Sequence, residues 1–130
     1  MITETRTFTN LRISGKELNK IRYMDNNIFR LDGKTALVTG ASYGIGMAIA
    51  KALAAAGARI VFNDIKSDMV EKAIEEYAAA GIDAKGYVFD VTDEDMVQKY
   101  IKKINEEVGI IDILVNNAGI IKRIPALEMT

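Results

Sequence analysis

The sequence predicts an α/β fold, a doubly wound parallel sheet, over most of its length. Three observations carry that reading. From Thr35 onward, short apolar runs rich in β-formers alternate with helical patterns. The runs are nearly continuous in apolar residues, as strands covered on both faces require. The one proline, Pro125, comes after the last run, so nothing breaks the alternation.

The elements follow in order. Thr35–Thr39 (TALVT) reads as a strand. Ile45, Ala48, Ile49, Ala52, Leu53 and Ala56 recur at helical spacing, and Gly57 follows where a helix commonly stops. Arg59–Asn63 (RIVFN) is a second strand. Val70, Ala73, Ile74, Tyr77 and Ala78 form a second helical stripe ended by Gly81. Lys85–Phe89 is the third strand. Thr92 and Asp95 have capping-box spacing before a third helix. Its buried face is Val97, Tyr100, Ile101, Ile104 and Val108, and Gly109 ends it. Ile113–Val115 is the fourth strand. A β-α-β-α-β-α-β order with right-handed crossovers places helices on both faces of a parallel sheet, and the pattern stops after its fourth strand.

Residues 1–34 stand outside this pattern. Thr5, Thr7 and Thr9 alternate with Arg6, Phe8 and Asn10, a short strand or no element at all. Residues 1–23 carry five basic and two acidic side chains, so the charge sign changes near Met24. A flexible appendage over residues 1–27 is expected, ahead of a domain over residues 28–130, with Ile28–Leu31 docking on the core.

Composition narrows the chemistry. The 130 residues include no Cys and no His. That excludes disulfides, thiol nucleophiles, Cys/His metal sites and any triad with an imidazole base. A net charge of −1 offers no basic field for nucleic acid or an anionic membrane. No apolar run approaches the ~20 residues of a membrane-spanning helix. The absent cysteines fit a cytoplasmic protein.

The strongest local signal is Thr39-Gly40-Ala41-Ser42-Tyr43-Gly44-Ile45-Gly46, set between a strand and a helix. Gly40 permits a tight turn, Gly44 lets backbone approach a diphosphate, and Gly46 lets the helix pack closely. The helix N-terminus behind them attracts phosphate. Taken alone, the glycines also fit a turn with no ligand. Asp64 lies 18 residues past Gly46, at the end of the second strand, where a carboxylate can accept from both hydroxyls of an adenosine ribose. A surface acid would look the same. Asp90 ends the third strand, where it could meet an adenine amino group with Val91 against the ring, or simply form a turn. Asn116-Asn117-Ala118-Gly119 ends the fourth strand, where ligands sit in open α/β sheets. Turn-forming residues in a plain loop are the other reading.

Together these motifs resemble the short-chain dehydrogenase/reductase family. Its signatures are T-G-x-x-x-G-x-G, a D-V pair after the third strand and N-N-A-G after the fourth. Here they are Thr39–Gly46, Asp90-Val91 and Asn116–Gly119, in order. The resemblance spans roughly residues 28–130 and implies a Rossmann-type domain. It assigns Gly40, Ser42, Tyr43, Gly44, Ile45, Gly46, Asp64, Asp90, Val91, Asn117, Ala118 and Gly119 to NAD or NADP. The stretches ALVTGASYGIG, VFNDI, YVFDVTDED and VGIIDILVNNAGIIKR are similar to the family's bacterial gluconate 5-dehydrogenase branch. That implies hydride transfer between a sugar-acid carbon and nicotinamide. Other sugar-alcohol and 3-oxoacyl reductases share much of this wording.

In that family catalysis rests on a later Ser and a Tyr-x-x-x-Lys pair. None of the five tyrosines here has Lys four residues on, so no catalytic residue is assigned. The expectation is a truncated, inactive portion of an enzyme, whose longer parent would be a homo-oligomer acting on a small sugar acid. A non-catalytic nucleotide-binding remnant or regulatory module, or a short-chain reductase for another sugar or a 3-oxoacyl substrate, is the alternative. Arg123, just past N-N-A-G, could hold a substrate carboxylate bidentately or be a solvated charge. Asp64 beside the ribose 2′ position favours NAD over NADP, by up to about 4 kcal/mol for unit charges ~4 Å apart at an effective dielectric of 20.

Overall fold

The computed structural model describes residues 5–8, 11–16 and 28–119. The chain divides into two compact units, Met1–Leu31 and Asp32–Thr130. In the first, β1 (Thr5–Phe8) and β2 (Leu11–Ser14) pair antiparallel, with Thr5 opposite Ser14 and Phe8 opposite Leu11. The threonine alternation therefore does mark a strand. Residues 1–4, 9–10 and 17–27, Met24 among them, lie outside the described residues. Ile28 and Phe29 are 72% and 77% exposed.

The second unit is built on a parallel sheet. It contains β3 (Thr35–Thr39), α1 (Gly44–Ala55), β4 (Arg59–Asp64), α2 (Ser67–Ala79), β5 (Lys85–Val88), α3 (Glu94–Glu107) and β6 (Ile113–Val115). The strand order is β5-β4-β3-β6, all parallel. The chain thus steps from β3 outward to β5, then crosses back to the other side of β3. This reversal opens a crevice at the carboxyl ends of β3 and β6, where open α/β sheets bind ligands.

Alternate side chains on the strands serve the two faces. Toward α3, Leu37, Val61, Tyr87, Phe89 and Ile104 form a buried cluster, with Met96, Val97, Tyr100, Ile101, Val108 and Ile111 packed half-buried against it. Phe89 stacks on Tyr100 at 4.8 Å between ring centroids. On the opposite face Phe62 and Tyr77 are both fully buried, 5.0 Å apart. Gly86 lies beneath them, where a Cβ would come within 2.8 Å of the Phe62 ring. Aromatic burial of this kind contributes roughly 1.5–3 kcal/mol per side chain.

Helix ends fall where glycines were expected to stop them, with Gly57, Gly81 and Gly109 all at positive φ. At the amino end of the sheet, Thr35 and Asp112 exchange two hydrogen bonds. The Thr35 amide donates to Asp112 Oδ2 and the Asp112 amide to the Thr35 carbonyl, each at 2.9 Å.

Four expectations require correction. The apolar stripe read for α1 is not its buried side. Gly46, Met47 and Ala50 are buried, while Ile45 is 76% exposed and Ala48 and Ala52 are exposed. Gly46 and Ala50, which hydropathy barely marks, share this face with Met47, and Gly46 is pressed against the Gly40–Ala41 backbone and Asn117. On α2, Val70, Ala73 and Tyr77 are buried, but Ile74 is 40% exposed and Ala78 is exposed, at the edge of the stripe. Strand β5 ends at Val88, one residue early, although the Phe89 amide still donates to the Asp64 carbonyl. The N-cap of α3 is Asp93, whose carboxylate accepts from the Met96 amide at 3.1 Å, rather than Thr92. Thr92 is occupied by Asp90.

Candidate cofactor site

The four sequence motifs all follow carboxyl ends of parallel strands, so the topology brings them to one edge. Thr39 and Asn117 hold β3 to β6 there. The Asn117 and Ala118 amides both donate to Thr39 Oγ1 at 3.0 Å, and Thr39 Oγ1 donates to the Val115 carbonyl at 3.4 Å. Asn117 Nδ2 donates to the carbonyls of Thr39 and Gly40, each at 3.1 Å. Asn117 therefore shapes the crevice through the backbone of the neighbouring strand.

The glycines divide their work. Gly40 takes φ +63° and sits so close to the next loop that a Cβ would meet Ala118 Cα at 2.9 Å. A Cβ on Gly46 would collide with Asn117 Nδ2 and lie 2.7 Å from the Gly40 carbonyl oxygen. Gly44 is different. It takes φ +60°, yet a Cβ there would have no neighbour within 4 Å. Its missing side chain leaves room for something outside the chain.

Two further features suit a phosphate-bearing guest. Helix α1 has no side-chain cap at Tyr43 and no acid in its first turn, so its first amides lack a side-chain partner. By contrast α3 is capped by Asp93 and carries Glu94 and Asp95. Ser42 is 4% exposed, and its Oγ is buried without a hydrogen-bond partner. A native structure rarely leaves such an atom unmatched. An orphaned hydroxyl, uncapped amides and open space over Gly44 fit a dinucleotide diphosphate. Among the described residues no group of three His, Cys, Asp or Glu could hold a metal, and no helix is long and apolar enough to cross a membrane.

The acids flank this loop. Asp64 Oδ1 accepts from the amides of Ile65 (2.8 Å) and Lys66 (3.4 Å), which fixes the carboxylate at the end of β4. Asp90 Oδ1 accepts from the Thr92 hydroxyl (2.7 Å) and amide (2.8 Å). These two bonds hold its carboxyl below the usual carboxylate range. Val91 is 40% exposed beside it. Tyr43 and Ile45 are 64% and 76% exposed around the loop, and Gly119 is exposed after β6. Arg123 lies outside the described residues.

Two residues that sequence reasoning did not assign to the site support it from below. Asn63 is 2% exposed; its Oδ1 accepts from the Gly40 amide at 3.2 Å and its Nδ2 donates to the Phe89 carbonyl at 2.9 Å. It ties the glycine loop to the approach to Asp90. The signal was present as a lone amide inside an apolar strand. Tyr77 was read only as an apolar stripe position, but its hydroxyl donates to the Ala41 carbonyl at 2.8 Å. Burial, with Glu76 adjoining, pushes its phenol well above the ordinary range.

The similarity of the chain to known proteins agrees with this geometry. The short chain dehydrogenase family model matches residues 34–130. A 2-dehydro-3-deoxy-D-gluconate 5-dehydrogenase of Formosa agariphila is 56% identical over 107 residues, 82% of this chain and 40% of that protein. The crystal structure of a 2-keto-3-deoxy-D-gluconate dehydrogenase from Streptococcus agalactiae superposes with a TM-score of 0.75 at 60% identity, over 84% of this chain and 41% of that one. A gluconate 5-dehydrogenase from Burkholderia cenocepacia, crystallised with NADP and tartrate, gives 0.73 at 42% identity, over 82% and 42%. The chain spans about two-fifths of the length of these relatives. With its parallel sheet, glycine loop and N-N-A-G crevice, the chain belongs to the short-chain dehydrogenase family.

Proposed function

We propose that these residues form the cofactor-binding part of an NAD(P)-dependent dehydrogenase of sugar acids. The observation that carries the reading is the loop Thr39–Gly46, with its orphaned Ser42 hydroxyl, uncapped α1 amides and open space over Gly44. A nicotinamide cofactor would supply or accept the hydride. The chain's own residues bind and orient it. The first amides of α1 and Ser42 hold the diphosphate, Asp64 accepts from ribose hydroxyls, and Asp90 with Val91 receives the adenine. Ala118 and Gly119 border the groove that Asn117 shapes.

The choice between the two cofactors turns on opposing observations. The Asp64 carboxylate disfavours a 2′-phosphate. The NADP in the Burkholderia relative favours one, and Lys66 offers an exposed cation two residues past Asp64. We therefore assign both cofactors, with Asp64 setting their ratio. The sugar-acid class rests on the names of the three relatives, and Arg123 is the residue proposed to meet the substrate carboxylate. A cytoplasmic, homo-oligomeric parent enzyme fits the same reading.

Nucleotide binding without turnover is the expected behaviour of these 130 residues. Proton transfer to or from the reacting oxygen needs a placed acid or base. The chain has no His, no Cys and no tyrosine with Lys four residues on. Titrating the chain with NAD and NADP tests the assignment. Asp64→Asn should raise the NADP-to-NAD affinity ratio by about tenfold, a part of the full Coulomb effect because the site is half-exposed. No binding of either cofactor at millimolar concentration would overturn the reading.

A further inference from the structure

We propose that Tyr77 is a positioning residue of the cofactor loop: its buried hydroxyl, donating to the Ala41 carbonyl, sets the peptide from which Ser42 and the first amides of α1 meet a diphosphate. The inference rests on the dinucleotide reading of the loop and adds a residue from outside it, on α2.

The geometry is specific. Tyr77 is fully buried, its ring lies against Phe62, and its Oη is 2.8 Å from the Ala41 carbonyl oxygen. Any large apolar side chain would fill that volume, so packing does not account for the hydroxyl. Ala41 is itself fully buried, so water cannot replace the donor. The Ala41 carbonyl and the Ser42 N–H belong to one planar peptide group, and no peptide in the chain is cis. In a trans peptide those two bonds point in opposite directions. Fixing the oxygen from below therefore fixes the direction of the Ser42 N–H above. The preceding peptides are anchored by other side chains, Gly40 N–H by Asn63 and Gly40 C=O by Asn117. Tyr77 completes the series at the residue just before the orphaned Ser42 hydroxyl. A loop held in its binding geometry loses less freedom when the ligand arrives.

The test uses the whole 130-residue chain, Tyr77→Phe, and two probes, ADP and adenosine. The variant keeps the ring and removes only the donor. It should bind ADP about fivefold more weakly, the effect of one hydrogen bond, and adenosine as well as the unmutated chain does. Amide exchange over Ser42–Gly46 should quicken. A merely structural role would lower the melting temperature and leave ADP affinity of the folded chain unchanged, which overturns the proposal. Equal weakening for both probes also overturns it and leaves the cofactor reading intact. If the unmutated chain binds neither probe, the cofactor reading falls and takes this inference with it. If Tyr77→Phe does not fold, fluorotyrosine in the unmutated chain provides the measurement. The solvent-shielded Tyr77 resonance should shift with ADP and not with adenosine, and an unmoved resonance overturns the assignment.

Discussion

Replacing Gly46 with Ala should unfold the unit more readily, and the cost can be worked from its neighbours. The added methyl would strike Asn117 Nδ2 and stand 2.7 Å from the Gly40 carbonyl oxygen and 3.0 Å from Ala41 Cα. Two of those atoms are backbone, so a side-chain rotation alone cannot relieve the clash. Overpacking of this kind costs roughly 1–3 kcal/mol. Displacing Asn117 also threatens its bonds to the Thr39 and Gly40 carbonyls, at about 1 kcal/mol each. Alanine's better helix propensity returns about 1 kcal/mol. The net loss is about 2–4 kcal/mol, which for a unit of this size lowers the melting temperature by about 10–25 °C. Urea denaturation should show the midpoint falling at constant slope. A variant within about 0.5 kcal/mol of the parent, the scatter of an ordinary surface change, would show that α1 does not press on the Asn117 loop as described.

Gly44→Ala should behave in the opposite way, losing about 1–2 kcal/mol from its left-handed backbone but most of its nucleotide affinity, because the methyl enters the open space over the loop. Isothermal titration beside a melting curve separates the two effects, and unchanged affinity would refute the assignment of that space. In alkali, the raised phenols of Tyr77 and of Tyr87, the latter pushed up to about 12 by burial and its bond to Glu107, should erode stability. Both stay protonated in the folded chain above pH 10, where unfolded tyrosines ionise. Stability should therefore hold steady up to about pH 9.5, then fall by roughly 1.4 kcal/mol per pH unit for each phenol. Denaturant titrations at stepped pH would show this, and Tyr77→Phe should make the fall shallower. Deleting residues 1–23 should leave nucleotide affinity unchanged, since every candidate site residue lies at or beyond Thr39. A weakened affinity by titration would implicate the first unit in binding.

The strands and the crevice were legible in the sequence because their signals are strong in kind. Runs such as TALVT and RIVF suit strands covered on both faces, as in a parallel sheet flanked by helices, and Gly40, Gly46 and Asn117 proved to be in direct contact. What escaped the sequence was the side of α1 that faces inward. Hydropathy does not mark Gly46 and Ala50, which are buried with Met47, Gly46 close against the Gly40–Ala41 backbone, while Ile45 stays outside. Asn63 and Tyr77 escaped for a related reason. Each sits in an apolar pattern that accounts for its burial, and the polar atom acquires meaning only once the Gly40 amide or Ala41 carbonyl is seen opposite. The capping residue moved by one, from Thr92 to Asp93, because Asp90 claims the Thr92 hydroxyl for its own turn.

The fastening of β6 to β3 at both ends, by Thr35 with Asp112 and by Thr39 with Asn117, joins residues 77 to 79 positions apart. Strands β3, β4 and β5 can associate while the chain beyond them is still being synthesised. The crevice cannot, because one of its walls, β6, is the last of the described strands to emerge. Contacts of such long separation form late, after the entropy of closing the intervening loop has been met. Under the proposed reading, dinucleotide affinity should report on the docking of β6 against β3. A ligand added during refolding should leave the early sheet-forming phase untouched and stabilise only the species in which β6 has docked.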